Sequence, residues 1–539
     1  MTMEWINAIS PDVPGPGSIG RIALPDMVRR SARKFGKKTA IVDGPLRSTY
    51  AEFDADIDRL ANALVARGLR PGDRVATLCA NSYQYAVAMF GIQRAALVWL
   101  PINQNLRPDD IDYIFGHAEP RFVIVDDTLY AGALRPAIDA RFARDAIALV
   151  PYDPAVVSDH VRFDALLREG TATDPGVEID GRDVCQIMYT SGTTGRPKGV
   201  MHSHVSVYLA LLGNALDYGV GPDDVSNVML PLFHCAQHCM TAGVFLTGGM
   251  AVMMRTVDPG VLIETIAREK ITVVLSLPPI YAALLDHPKR AENDLSSLRL
   301  CVYGMMQMPE ATLRRLVAEV CPNFTLGTGQ TEMYPSTLSF KPRYQLTKIG
   351  PYWGDENVGT ETAIMDDAGN LLPPGVVGEI VHRGPSVMSG YYRDPEATAK
   401  ARAFGWHHTG DLGMFDDDGL LIFTDRKKDM IKSGGENVAS IVVERALASH
   451  PAVAAAAAIG LSHPRWFEAV TGVVLLKPGA TAGEDDLLAH CKARLSPHEV
   501  PKAICFVETF PLTATGKIQK NLLRERFGTL YEERAVTIS

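Results

Sequence analysis

Helical and extended signals take turns along the first half of the chain. Tyr50–Ala66 has the apolar spacing of an amphipathic helix, Arg74–Cys79 reads as a short strand, Tyr83–Ala96 is helical again and Arg121–Val125 is another strand. The order continues through a strand at Ile271–Leu275 and a helix at Pro309–Val320. Parallel neighbours need a long crossover, usually a helix, so the alternation predicts a largely parallel α/β architecture. At 539 residues the chain exceeds what one hydrophobic core holds, and two or more domains are expected. No fixed-period repeat runs through it.

Near residues 361–391 the texture changes to short apolar runs split by turns such as Asp366-Asp-Ala-Gly369 and Pro373-Pro-Gly375, as in an antiparallel or barrel-like portion. A strand at Gly419–Thr424 precedes the charged run Asp425-Arg-Lys-Lys-Asp429, which suits a domain boundary. Ala454–Ala458 has weak β propensity, and composition alone assigns it no strand.

A net charge of −9 provides no basic excess for nucleic acid, so none is expected as a partner. The N-terminus has no basic and apolar leader and no run is apolar enough to span a bilayer, so a cytoplasmic location without a transmembrane segment is expected. The eight irregularly spaced cysteines read as reduced interior residues. His234 with His238, and Cys235 with Cys239, sit at helical chelate spacing, but no second distant half of a zinc pattern accompanies them, which favours packing or substrate-pocket roles.

Tyr189-Thr-Ser-Gly-Thr-Thr-Gly-Arg-Pro-Lys-Gly199 is suited to gripping a polyphosphate. Glycines let backbone N–H groups approach phosphate oxygens, hydroxyls add donors and Lys198 supplies a point charge. A buried strand at Val184–Tyr189 and a helix at Val200–Leu212 would set this loop in strand–loop–helix order. It is not a Walker A loop, because Pro197 and Gly199 stand where a glycine and a metal-binding hydroxyl belong.

That loop, followed in order by Gly329-Gln-Thr-Glu332, Thr409-Gly-Asp411, Asp425-Arg-Lys-Lys-Asp-Met-Ile-Lys432 and Gly516-Lys-Ile518, resembles the adenylate-forming superfamily of acyl-CoA synthetases, luciferases and peptide-synthetase adenylation domains. The resemblance implies an α/β fold: a large N-terminal domain, residues 1–427, of two α/β sheets plus a distorted β-barrel, and a small mobile α+β domain, residues 428–539. It also implies a two-step reaction. A carboxylate attacks the α-phosphorus of ATP to give acyl-AMP and pyrophosphate, and a thiol then displaces AMP. The nucleophile is already anionic, so positioning and charge neutralisation suffice and no general base is needed.

By the same resemblance, Lys517, Glu332 and Thr331 are the catalytic residues, with Glu332 the Mg²⁺ ligand. Thr190, Ser191, Gly192, Thr193, Thr194, Gly195, Lys198, Gly329, Gln330, Asp411 and Arg426 bind ATP, the Asp411 carboxylate accepting both ribose hydroxyls. Lys428 is the hinge. Lys432, Gly434, Gly435 and Glu436 serve the thioester step with coenzyme A.

His234, Cys235, Gln237, Gly304, Met305 and Thr328 are the acyl-pocket candidates. The chain departs from the family pattern at several points. Met305, Met306 and Gln307 add volume where small residues are usual, Thr328 replaces an aromatic ring, Phe467 a glycine and Glu499 a lysine. An imidazole at 234, where amino-acid-activating domains carry an aspartate, disfavours an α-amino substrate. The expected activity is therefore that of an AMP-forming acyl-CoA synthetase taking a medium-chain, branched, alicyclic or aryl acid. Acyl-AMP without CoA turnover would point instead to an acid:carrier-protein ligase, and ATP binding without pyrophosphate release to a scaffold. A homodimer is left open.

Overall fold

A computed structural model describes residues 21–190, 196–304, 306–513 and 517–532. Ser191–Gly195 of the phosphate loop, Met305 and Gly516 lie outside the described residues. The chain forms two compact units, one of residues 1–190, 197–362 and 382–402, the other of 191–196, 363–381 and 403–539.

The first unit contains an eight-stranded sheet in the order Gly390–Tyr391, Lys198–Ser203, Val184–Thr190, Val98–Pro101, Arg74–Leu78, Phe122–Asp126, Ile147–Val150, Val161–Arg162. From Val184–Thr190 onward its neighbours pair in parallel, as the alternating signals predict. The Tyr50–Ala66 helix spans the expected residues, opened by a Thr49/Glu52 capping box. It buries Phe53, Ile57, Leu60 and Leu64 in a core shared with the Tyr83–Arg94 helix.

A second sheet includes Phe324–Gly329, Leu300–Tyr303, Val273–Ser276 and Val225–Val228 as parallel neighbours. Loops leaving the carboxyl ends of such strands are where ligands of open α/β sheets bind. Here those ends carry Pro231–Cys235, Gly304 and Thr328–Glu332.

One expectation is corrected. Val200–Leu212 is not a continuous helix: Lys198–Ser203 is a strand, antiparallel to Val184–Thr190 with Thr190 opposite Lys198, and the helix is His204–Asp217. The ladder satisfies the backbone through Ser203. There Ser203 Oγ accepts from Ser206 N at 3.2 Å and Ser206 Oγ from Ser203 N at 3.1 Å, closing the first helical turn. The helix N-terminus is thus occupied by its own cap.

Strands Glu361–Met365, Gly378–Arg383, His407–Phe415 and Leu421–Arg426, most of whose residues fall in the second unit, neighbour one another in that order where the change in texture is expected. The remainder is α+β. Val453–His463 and Phe467–Leu476 form a long hairpin, flanked by Ile431–Ser433 and the parallel Ala503–Phe506. The alanine run lies inside Val453–His463. Ala457 and Ala458 are fully buried in different clusters on the two faces of the sheet, so burial and small size make this a strand where propensity does not.

Candidate functional site

In the first unit, elements expected from sequence to contact ATP converge through backbone pairing. Gly390–Tyr391 adds to the edge of Lys198–Ser203, with Tyr391 opposite Val200, and Met388 N donates to Glu332 O at 2.7 Å. Tyr391 is thereby set between two of the expected residues. Its Oη donates to Glu332 Oε1 at 2.9 Å, and Lys198 Nζ lies 4.9 Å from its ring centre. Burial and the Glu332 carboxylate push the Tyr391 phenol far above its usual range, so it remains a donor. Sequence reading missed Tyr391, because a Gly-Tyr-Tyr string carries no local sign that it will meet a residue 59 positions away.

Gly329 is sterically required: a Cβ there would lie 1.4 Å from Pro335 O. It leads through Gln330 into a single 3₁₀ turn, Thr331–Met333, that presents Thr331 and Glu332. Thr331 O accepts from His202 Nε2 at 2.7 Å, and its hydroxyl lies 3.6 Å from Cys235 Sγ. Cys235 opens the Cys235–Thr247 helix. His234 caps it, Nδ1 accepting from Ala236 N at 3.2 Å.

Gly304 packs on Gly327, where a Cβ would come 3.0 Å from the carbonyl oxygen. Buried Thr328 Oγ1 has no hydrogen-bond partner among the described residues. Gln237 is committed to the core: its carbonyl accepts from Leu230 N, and its amide donates to Asn227 O and Thr241 Oγ1. The volume expected from the 305–307 run is partly turned away, since Met306 is 52% exposed and Gln307 Nε2 reaches Tyr352 O. His238 and Cys239 are fully buried, and no group of three or more metal-ligating side chains occurs among the described residues. The described cysteines are all free and buried, as expected for reduced interior residues.

In the second unit Asp411 and Arg426 are cross-strand partners, with Arg426 Nε 3.7 Å from Asp411 Oδ1. Glu379, not anticipated from sequence, organises them: its oxygens accept from Gly410 N at 3.0 Å and Lys427 Nζ at 2.9 Å, and His408 Nδ1 lies at 3.1 Å. Burial raises the Glu379 pKa, but Lys427 and His408 outweigh it, leaving the carboxyl below its usual range. Gly410, at φ +73°, turns the chain directly before Asp411.

Ser433 pairs with Glu436 around Gly434 and Gly435, both at positive φ, in a two-residue hairpin turn. Trp466 packs against Gly434, where a Cβ would lie 3.0 Å from its ring, and accepts from Gly434 N through its carbonyl at 2.8 Å. Next to it, Phe467 is 75% exposed at φ +66°, a conformation that explains why glycine is expected there. Glu499 caps a turn, Oε2 accepting from Ser496 N at 2.9 Å. Lys432 is exposed on Ile431–Ser433. Lys428 follows the strand Leu421–Arg426, and Asp429 beside it pairs with Arg524 at 2.9 Å. Lys517 is exposed; its carbonyl accepts from Thr513 N at 2.8 Å, its N–H donates to Thr513 Oγ1 at 3.1 Å, and Leu512 and Ile518 form a bridge around it.

No helix among the described residues is long and apolar enough to cross a membrane. The family model for AMP-binding enzymes matches residues 28–392, and the model for the AMP-binding enzyme C-terminal domain matches 442–517. A feruloyl-CoA synthase of Amycolatopsis sp. is 35% identical over 500 residues, covering 93% of this chain and 98% of the relative. A 3-[(3aS,4S,7aS)-7a-methyl-1,5-dioxo-octahydro-1H-inden-4-yl]propanoyl:CoA ligase of Rhodococcus jostii is 36% identical over 523 residues, with the same shares covered. The crystal structure of ATP-bound MatB from Rhodopseudomonas palustris superposes with a TM-score of 0.83 at 30% identity, covering 94% of this chain and 99% of that one. With the strand-end motifs, the Asp411–Arg426 pair and these full-length matches in agreement, the chain belongs to the AMP-binding enzyme family, among its acyl-CoA ligases.

Proposed function

We propose that the enzyme activates a hydrophobic carboxylic acid without an α-amino group, of the aryl or alicyclic kind named for its relatives, as acyl-AMP and passes the acyl group to CoA. The observation that carries this reading is the Lys198–Tyr391–Glu332 constellation beside Thr331. It joins a cation for phosphate to an oriented carboxylate of the donor type Mg²⁺ prefers. Mg²⁺ held by Glu332 would neutralise charge on the phosphates.

Lys198 and the Gly- and hydroxyl-rich stretch before it in sequence hold the polyphosphate, Thr331 faces the α-phosphate and Asp411 with Arg426 holds the ribose. The acid's own carboxylate oxygen forms the new bond to the α-phosphorus as the bond to pyrophosphate breaks. Lys517 supplies the ammonium that offsets charge at that centre. His234, Cys235, Gly304 and Thr328 border the acyl group; Met305 is assigned with them from sequence alone. For the second step Lys428 is the pivot of residues 428–539, and Lys432, Gly434, Gly435 and Glu436 serve the thiol.

The test is a mass-spectrometric screen of carboxylic acids with Mg²⁺-ATP and CoA, comparing wild type with Lys517→Ala. Acyl-CoA that forms with wild type and falls at least ~100-fold in the variant supports the assignment. Acyl-CoA formation undiminished by the substitution would remove Lys517 from the mechanism. Acyl-AMP without acyl-CoA would make CoA the wrong acceptor.

A further inference from the structure

The Lys198–Tyr391–Glu332 constellation hangs on an edge strand two residues long, Gly390–Tyr391, which pairs with Met201 and Val200. So short a ladder has little stability of its own. It is reinforced from the C-terminal end of the helix Pro108–Ala118, where His117 meets the chain on either side of Lys198–Ser203. On one side His117 Nδ1 is hydrogen-bonded to Tyr189 Oη at 2.6 Å. Tyr189 pairs with Gly199 and its ring lies over that residue, where a Cβ would come 3.1 Å from Tyr189 Cζ. On the other side Tyr392 N donates to Gly199 O at 2.7 Å, and the Tyr392 ring meets the imidazole edge-on with centres 5.6 Å apart.

The next residue completes the clasp. Arg393 Nη1 donates to His117 O at 3.1 Å, and Arg393 holds a left-handed backbone at φ +53°. A non-glycine residue keeps such a conformation only where its surroundings dictate it. Glu119, at φ +49°, ends the helix with its N–H donating to Phe115 O at 2.9 Å, and its carboxylate pairs with Arg393 Nη2 at 2.6 Å. That ion pair is exposed and adds little by itself. The bond to the His117 carbonyl is the one that ties the edge strand to the helix. Tyr113 stacks on the imidazole at 5.5 Å, one helical turn earlier. Burial and Arg393 hold the His117 imidazole below its usual range and burial holds the Tyr189 phenol above its own, so the contact joins two neutral groups near pH 7.

We propose that His117 is a positioning residue for ATP. Through Tyr189 it holds the strand end that sets Thr190 opposite Lys198, and through Tyr392 and Arg393 it holds the edge strand that sets Tyr391 between Lys198 and Glu332. This rests on the reading of Lys198 and Glu332 as groups that meet the phosphates and Mg²⁺, and it adds to them a residue that no sequence motif singles out. A small displacement of positioning groups weakens binding and rate without any loss of a contacting side chain.

The experiment measures pyrophosphate release with Mg²⁺-ATP and the best acid from the carboxylic-acid screen, and thioester formation from supplied acyl-AMP, in the full-length enzyme. His117→Ala should raise KM for ATP at least ~5-fold while KM for the acid and the thioester rate stay within ~2-fold of wild type. His117→Asn, whose amide can reach Tyr189 Oη from the place of Nδ1, should recover most of the loss. Tyr189→Phe should raise KM for ATP at least ~3-fold, and adding it to His117→Ala should change KM by less than ~2-fold, because both act through one bond. An unchanged KM for ATP, parallel rises for ATP and acid, no recovery with asparagine, or independent effects in the double variant would each make His117 a packing residue and overturn the proposal. Should His117→Ala fail to fold, Tyr189→Phe alone decides. Lys198→Ala, run beside them, keeps the two readings apart: a KM for ATP untouched by that change would remove the phosphate site itself, whatever His117 does.

Discussion

Tyr391 Oη donates to Glu332 Oε1 at 2.9 Å, while the Tyr391 ring lies 4.9 Å from Lys198 Nζ. One side chain thus touches both the carboxylate and the cation.

Tyr391→Phe keeps the ring and removes the hydrogen bond. A hydrogen bond to a charged group contributes about 1.5 kcal/mol or more, so kcat/KM for ATP should fall at least ~10-fold. Thioester formation from supplied acyl-AMP should stay near wild type. Pyrophosphate release and a single-turnover thiol assay separate the two steps, and equal losses in both would count against a role at Glu332.

Glu379 holds Gly410 N, Lys427 and His408 together, one residue before Asp411. An amide is uncharged and has a single acceptor oxygen, so Glu379→Gln should raise KM for ATP about fivefold, roughly the 1 kcal/mol of one displaced contact. With 2′,3′-dideoxy-ATP, which offers Asp411 no hydroxyl, the difference between variant and wild type should largely vanish. An undiminished difference would mean that Glu379 acts elsewhere.

Lys428 sits where the chain leaves Leu421–Arg426, and Arg524 anchors the adjacent Asp429 at 2.9 Å. A hinge must change φ, and proline forbids that. Lys428→Pro should leave adenylation within ~3-fold and slow thioester formation from acyl-AMP at least ~100-fold. A normal thioester rate would remove the hinge from position 428.

His204 is buried, and its Nδ1 accepts from Leu24 N at 3.1 Å. Burial depresses its pKa from 6.5 to about 4, so the unfolded chain takes up the proton first as pH falls. Stability from this group is complete above pH 6.5 and is lost between 6.5 and 4, by at most about 3 kcal/mol. His204→Asn retains an acceptor and does not titrate. The melting temperature of wild type minus that of the variant should therefore decline across this window, and a pH-independent difference would exclude His204 as the group responsible.

The amino-acid sequence by itself determined the parallel α/β character, because helical and extended periodicities are local and the Tyr50–Ala66 helix and Arg74–Leu78 strand emerge where their patterns lie. It also supplied the residue types proposed for the site, since a Gly- and hydroxyl-rich stretch ending in Lys198 and the motifs around Glu332, Asp411 and Lys517 are read directly from it. Only the tertiary structure decided where polar atoms find their partners. Lys198–Ser203 is a strand because Val184–Thr190 offers it a ladder, and the alanine run is extended because it pairs with Phe467–Leu476 and both faces are covered at Ala457 and Ala458, against the preference of alanine. Tyr391 meets Glu332, Glu379 meets Gly410, and Tyr334 is forced into a left-handed backbone against His238. These are contacts between residues far apart in the chain, and local pattern is silent about them because chain folding, not spacing, brings their atoms within reach.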